Sequence, residues 1–88
     1  MSDGGSAADR LRATIMRDRE RIARGERPTY QATWSPAVDS VDVRIVELPL
    51  IHLFVPDRRG VEEGARVLVA RTLEVEPSAF DVEVAEGW

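Results

Sequence analysis

Between Gly60 and Val84 the sequence describes one amphipathic helix, a proline turn and a short strand, and this trio dictates what the rest must supply. Gly60 suits an N-cap position, and Glu62 and Glu63 then fall in the first turn, where the helix dipole favours anions. Val61, Ala65, Leu68, Val69, Thr72 and Leu73 recur at helical spacing and form one apolar stripe. Arg71 lies near the C-terminal end, where a cation is favoured. Pro77 cannot continue a helix, and it biases Glu76 towards extended geometry. Phe80, Val82 and Val84 then alternate with Asp81, Glu83 and Ala85, as in a strand with one apolar face. A helix with a single apolar stripe needs a sheet or another helix to cover it. The residues before Gly60 are expected to provide that sheet.

The totals exclude several kinds of function. Eighty-eight residues make one small domain. Without cysteine there is no disulfide framework, thiolate metal site or cysteine nucleophile, and a single histidine argues against zinc. No cofactor is implied. No apolar run approaches the roughly 20 residues that span a bilayer, and the N-terminus lacks the apolar core of a signal peptide, so a cytoplasmic protein is expected. Charge is unevenly placed. Residues 6–24 carry six Arg against Asp9, Asp18 and Glu20, a net of +3, whereas residues 25–88 carry six Arg against twelve carboxylates, a net of −6. A negative domain is not drawn to nucleic acid by its own field and suits a basic protein better.

Residues 1–28 read as a disordered polar tail followed by an Arg-rich amphipathic helix. Met1 to Gly5 has nothing to bury. Ser6 to Arg24 is helical: Ser6 with Asp9 resembles a capping box, and Gly25 fits the position after the helix. Ala8, Leu11, Ile15 and Ile22 make a narrow apolar stripe. This helix is either an arm for a protein partner or DNA backbone, or a helix lying on the domain or on a second copy with its Arg solvated. Tyr30, Ala32 and Trp34 then alternate in a first strand, which Ser35-Pro36-Ala37 is expected to break. Ser40 to Leu48 is a second strand, and Glu47-Leu48-Pro49 turns the chain. The third, Leu50 to Val55, is apolar on both faces, which marks a central strand or one that pairs with another molecule. The result is an α+β fold: a meander of three strands, a helix that crosses over, and a last strand delivered to the sheet; if that strand lies beside the first, the order is 3-2-1-4. The face bearing Phe54 is left for the N-terminal helix or a partner; Trp34 either shares that face or, as its type favours, packs in the core.

The run from Tyr30 to Val84 resembles the HicB-like antitoxin family, especially its short actinobacterial members. The likeness is carried by Glu47-Leu48-Pro49 at the end of the second strand, by Val61-Glu62-Glu63 opening the helix, by Ala65-Arg66, Ala70 and Leu73 within it, and by Glu76-Pro77-Ser78-Ala79-Phe80-Asp81-Val82-Glu83-Val84. It covers about 55 residues and makes 29–88 the antitoxin-like domain. The resemblance implies a partial ribonuclease H-like β-β-β-α-β fold, here with an additional N-terminal helix. It also implies a partner, a small basic toxin of the double-stranded-RNA-binding type that cleaves RNA. Two features depart from the family. Leu50 follows Pro49 where the family has Gly, and Phe54-Val55-Pro56 replaces a flexible stretch. The family's DNA-binding module normally follows the domain, so any DNA contact is left to the Arg-rich helix or to a separate protein.

Ribonuclease H chemistry needs carboxylates converging on two metals. The candidates are Asp39, Asp42, Glu47, Glu62, Glu63, Asp81 and Glu83, and their spacing reads as a solvated acidic surface. His52 has no orienting partner in its vicinity in sequence, and Ser35, Ser40 and Ser78 read as turn or cap residues. No catalytic residue is assigned. Glu62, Glu63, Asp81 and Glu83 are the expected partner-binding set. The expected function is that of an antitoxin-like domain neutralising a small basic ribonuclease toxin. The alternative is a standalone homo-oligomeric module of the same fold, a homodimer through the third strand or the N-terminal helix.

Overall fold

The structure is a computed structural model and describes residues 6–85. The polar tail 1–5 and Trp88 lie outside the described residues. The elements are α1 (Ala7–Ala23), β1 (Thr29–Ala37), β2 (Ser40–Ile45), β3 (Leu48–Val55), α2 (Val61–Leu73) and β4 (Asp81–Val84), with short 3-10 turns at Arg58–Gly60 and Pro77–Ala79. This is the expected α+β arrangement, β-β-β-α-β behind an N-terminal helix. The strand order is β3-β2-β1-β4. The first three strands are antiparallel neighbours, and β4 pairs parallel to β1 from Thr29↔Asp81 to Ala32↔Val84.

α1 is capped as its sequence requires, whereas α2 starts at Gly60 without a side-chain cap. The Ser6 hydroxyl accepts from Asp9 N, and the Asp9 carboxylate accepts from Ser6 N, which completes a reciprocal cap. In α2 the buried positions are Val61, Gly64, Ala65, Val69, Ala70 and Leu73, and Leu68 and Thr72 flank them, half-buried. Gly64 and Ala70 extend the stripe beyond the residues that apolar spacing picks out. A Cβ at Gly64 would stand 2.6 Å from Val55 Cγ1, so the absent side chain lets α2 lie close on β3. The helix ends at Leu73, before the proline, with Glu74 in the left-handed region at φ 59°.

Two turns differ from expectation. β1 continues through Pro36 to Ala37, and a two-residue turn at Val38-Asp39 leads into β2. The proline is tolerated because β4 pairs only with Thr29 to Ala32, so β1 is itself an edge from Thr33 onwards. The second turn is Val46-Glu47, with Ile45 opposite Leu48. Leu48 is therefore a fully buried strand residue, and Pro49 sits on an edge strand where its missing N–H costs nothing. Leu50, at φ 78°, occupies the accompanying bulge.

The core lies on one face of the sheet. Tyr30, Ala32, Val43, Ile45, Leu48 and Val55 point towards α2 and pack with Val61, Ala65, Val69, Leu73 and Phe80. The rings of Tyr30 and Phe80 meet edge to face at 5.6 Å, an arrangement that adds about 0.5–1.5 kcal/mol to burial alone. Trp34, opposite Val43, belongs to this same face and packs half-buried against the core, as expected of a core residue, and away from Phe54. α1 also lies on the helix side, against α2 and β3, with Leu11, Ile15 and Ile22 on the core. The only buried residue of α1 is Asp18, 4% exposed, whose Oδ2 accepts from the Tyr30 hydroxyl at 2.8 Å. Arg17 and Arg21 stand 3.6 and 3.7 Å from its Oδ1. Burial first, and then the bond to Asp18, push the Tyr30 hydroxyl well above its ordinary pKa.

Candidate protein-binding surface

With both helices on one side, the second face of the sheet is bare among the described residues. Alternation fixes its membership: Thr33 and Ser35 from β1, Asp42 and Arg44 from β2, His52 and Phe54 from β3, and Asp81 and Glu83 from β4. Phe54 is 54% exposed, Leu50 62% and Val46 59%, so the apolar residues of this face gather at and beside β3.

A polar knot sits next to them. Asp42 is opposite Phe54, and Arg44 is opposite His52. Asp42 Oδ2 accepts from Arg44 Nε at 3.1 Å and Nη2 at 3.0 Å, and Asp42 Oδ1 lies 3.0 Å from His52 Nδ1. The His52 ring meets Phe54 edge to face at 5.3 Å. The Asp42 side chain is only 13% exposed. Desolvation works to raise its pKa, but the hydrogen bonds from Arg44 and His52 prevail and hold it below the usual carboxylate range. Asp42 is thus the orienting partner that sequence proximity did not offer His52. The signal was in the strand register: the two-residue turn at Val46-Glu47 and the bulge that follows Leu48 together set the two residues on one face of neighbouring strands. Ser35 lies opposite Asp42 by register but makes no hydrogen bond to the pair, so the knot fixes side chains and arms no nucleophile among the described residues.

The seven carboxylates do not gather. Among the described residues no three of His, Asp and Glu come together as a metal site. Asp39 lies in the first hairpin turn, and Glu47 Oε1 accepts from Gln31 N at 2.9 Å. The expected partner-binding set divides between two layers. Glu62 and Glu63 are exposed at the start of α2, on the helix side, and Glu62 reaches Arg66 at 3.9 Å. Asp81 and Glu83 lie on the bare side of β4. Asp81 is already engaged, since Arg27 Nε stands 3.1 Å from each of its carboxylate oxygens and Arg27 Nη1 donates to Ser78 O at 2.6 Å.

The Arg side chains of α1 are largely turned to local partners. Arg19 lies 3.7 Å from Glu74, just past the end of α2, and Arg21 and Arg24 both reach Glu26, at 2.9 and 3.2 Å. The helix lies on its own domain. No helix among the described residues is long and apolar enough to cross a membrane. Compared with known proteins, the chain matches no family model, and no significant match emerges among curated proteins or solved structures. The likeness to HicB-like antitoxins therefore rests on the order and spacing of its motifs.

Proposed function

We propose that the chain is a protein-binding domain of the antitoxin kind, which masks a small basic ribonuclease toxin and performs no chemistry itself. The observation that carries this reading is the uncovered sheet face, where Leu50, Phe54 and Val46 stand exposed beside a row of polar groups. A surface of that kind marks an interaction site. The sign of the partner follows from charge: residues 25–88 carry −6, which steers a cationic protein towards the domain and disfavours RNA or DNA. The succession β-β-β-α-β with strand order β3-β2-β1-β4 agrees with the partial ribonuclease H-like fold that the motif resemblance implies. The cytoplasmic setting belongs to the same proposal. Co-expression with a small basic ribonuclease toxin of the double-stranded-RNA-binding type, taken from the same gene neighbourhood, tests the reading; a neighbourhood that encodes none counts against it. A stable complex and protection from RNA cleavage are expected, with both lost in Phe54→Glu. Cleavage that proceeds unchanged with no complex formed would refute it.

A specific observation favours a second reading, a homo-oligomeric module. β3 is a free edge of eight residues and carries no Asp, Glu, Lys or Arg to discourage pairing. Sedimentation of the isolated chain tests it: a mass of 9.8 kDa at every concentration excludes self-association.

A further inference from the structure

We infer that a second copy of this chain extends the sheet through β3, antiparallel to it, about a two-fold axis at Leu53. The inference rests on the self-association reading above and gives it a register.

The occupant is argued from charge and pattern. A basic strand laid on β3 would find no acid there, because the carboxylates of the domain are placed elsewhere, on α2, on β4 and in the turns. The one acid beside it, Asp42, is taken by Arg44 and His52. A second copy meets an uncharged, apolar strand with its like. The two ends of β3 then decide the direction. Glu47 precedes the strand, and Arg58 and Arg59 follow it. Asp57, at the same end, accepts from Arg59 N at 2.9 Å and lies 3.8 Å from its guanidinium, which leaves that end with one surplus positive charge. Antiparallel pairing brings the acidic end of each copy to the basic end of the other, whereas parallel pairing sets like beside like. A closed two-fold contact of this sort also consumes both free edges and stops growth into a fibre.

The register follows from where β3 is regular. Pro49 lacks a donor, and the bulge at Leu50 spoils the ladder there, so the regular edge is Ile51 to Val55 and its midpoint is Leu53. Pairing about that midpoint sets Leu53 against Leu53 of the second copy and Ile51 against its Val55, all on the helix side. On the bare face it sets His52 against Phe54 of the second copy, which repeats across the seam the edge-to-face contact made within each chain. A two-fold at His52 instead would face imidazole with imidazole, draw the bulged Leu50 into the ladder and leave Val55 unpaired.

The chain has no cysteine, so introduced thiols report on this contact alone. His52→Cys and Phe54→Cys alter exposed positions, and circular dichroism matching the parent shows that both fold. Under mild oxidation an equimolar mixture of the two is expected to cross-link several-fold faster than either variant alone. Leu53→Cys is expected to cross-link with itself. Equal rates in the mixture and in the single variants overturn the register. If the chain sediments at twice its mass and only Met16→Cys on α1 cross-links, the register also falls while self-association stands. A monomeric mass throughout defeats both.

Discussion

The two edges of the sheet are built on opposite plans. β4 is four residues long, and it is locked from three directions. Phe80, just before it, is fully buried against Tyr30. Arg66 donates to Pro77 O at 2.9 Å and to Phe80 O at 3.3 Å, with its guanidinium 5.8 Å from the Phe80 ring. Arg27 holds Asp81 from below. Carboxylates face outward, so this edge is short, charged and fixed. β3 is twice as long, carries no Asp, Glu, Lys or Arg, is bulged at one end only, and turns Phe54 outward beside His52. An edge without charge is the one less protected against pairing with another chain. Of the four expected contact acids, Asp81 and Glu83 lie on the guarded edge, whereas Glu62 and Glu63 lie on α2.

Substitutions break this contrast in a graded way. Phe80→Ala should cost most, about 3–5 kcal/mol, and hydrogen exchange should show β4 amides losing protection before those of β2. Protection that falls equally in all strands from the outset would mean that the β4 edge has no lock of its own. Next comes the Tyr30–Asp18 pin. Tyr30→Phe should cost about 1–3 kcal/mol, because it leaves a buried carboxylate short of a donor. It should also change the pH profile. The Tyr30 hydroxyl has a raised pKa in the fold, so its contribution is complete below the unfolded value of about 10 and is lost as pH rises past it. Thermal melts should thus decline above that pH in the parent and less steeply in Tyr30→Phe. Gly64→Ala should destabilise by about 1 kcal/mol, the roughly 1–3 kcal/mol of overpacking against Val55 exceeding the roughly 1 kcal/mol gained in helix propensity. A raised denaturation midpoint would show instead that β3 yields to the helix. Smallest for stability is Phe54→Ser, within about 0.5 kcal/mol, yet it should abolish association at β3. Arg27→Ala, at the guarded edge, should leave association as it was.

Much of this was legible before any coordinates. The cap of α1, the stripe of α2 and the alternation of β4 follow from spacing, since each reports a local periodicity, whereas the place of β4 beside β1 is a long-range pairing that spacing left conditional. The turns were misplaced where proline outweighed register. Pro36 and Pro49 look like breaks, but both sit on stretches of strand with one side unpaired, and nothing local in the sequence reveals that. The layer to which α1 belongs was also hidden. Its narrow stripe fits either face of the sheet, and what settles the matter is one charged residue, Asp18, reaching a tyrosine. The division of the four expected contact acids between two layers was likewise invisible, because it depends on where α2 lies and not on its own pattern. The Asp42–His52 contact depends on the bulge that shifts the register after Leu48 as well as on the length of the second hairpin turn, and no local spacing announces that bulge.

The parallel pairing of β4 with β1 has a bearing on how the molecule assembles. The two hairpins join neighbours in sequence and close early, whereas Tyr30 must wait for a segment that arrives after the whole of α2. Long-range parallel pairing of that kind slows folding. The expected transition state has the meander formed and the final strand still loose, so truncating Val82 should accelerate unfolding while leaving the refolding rate nearly untouched.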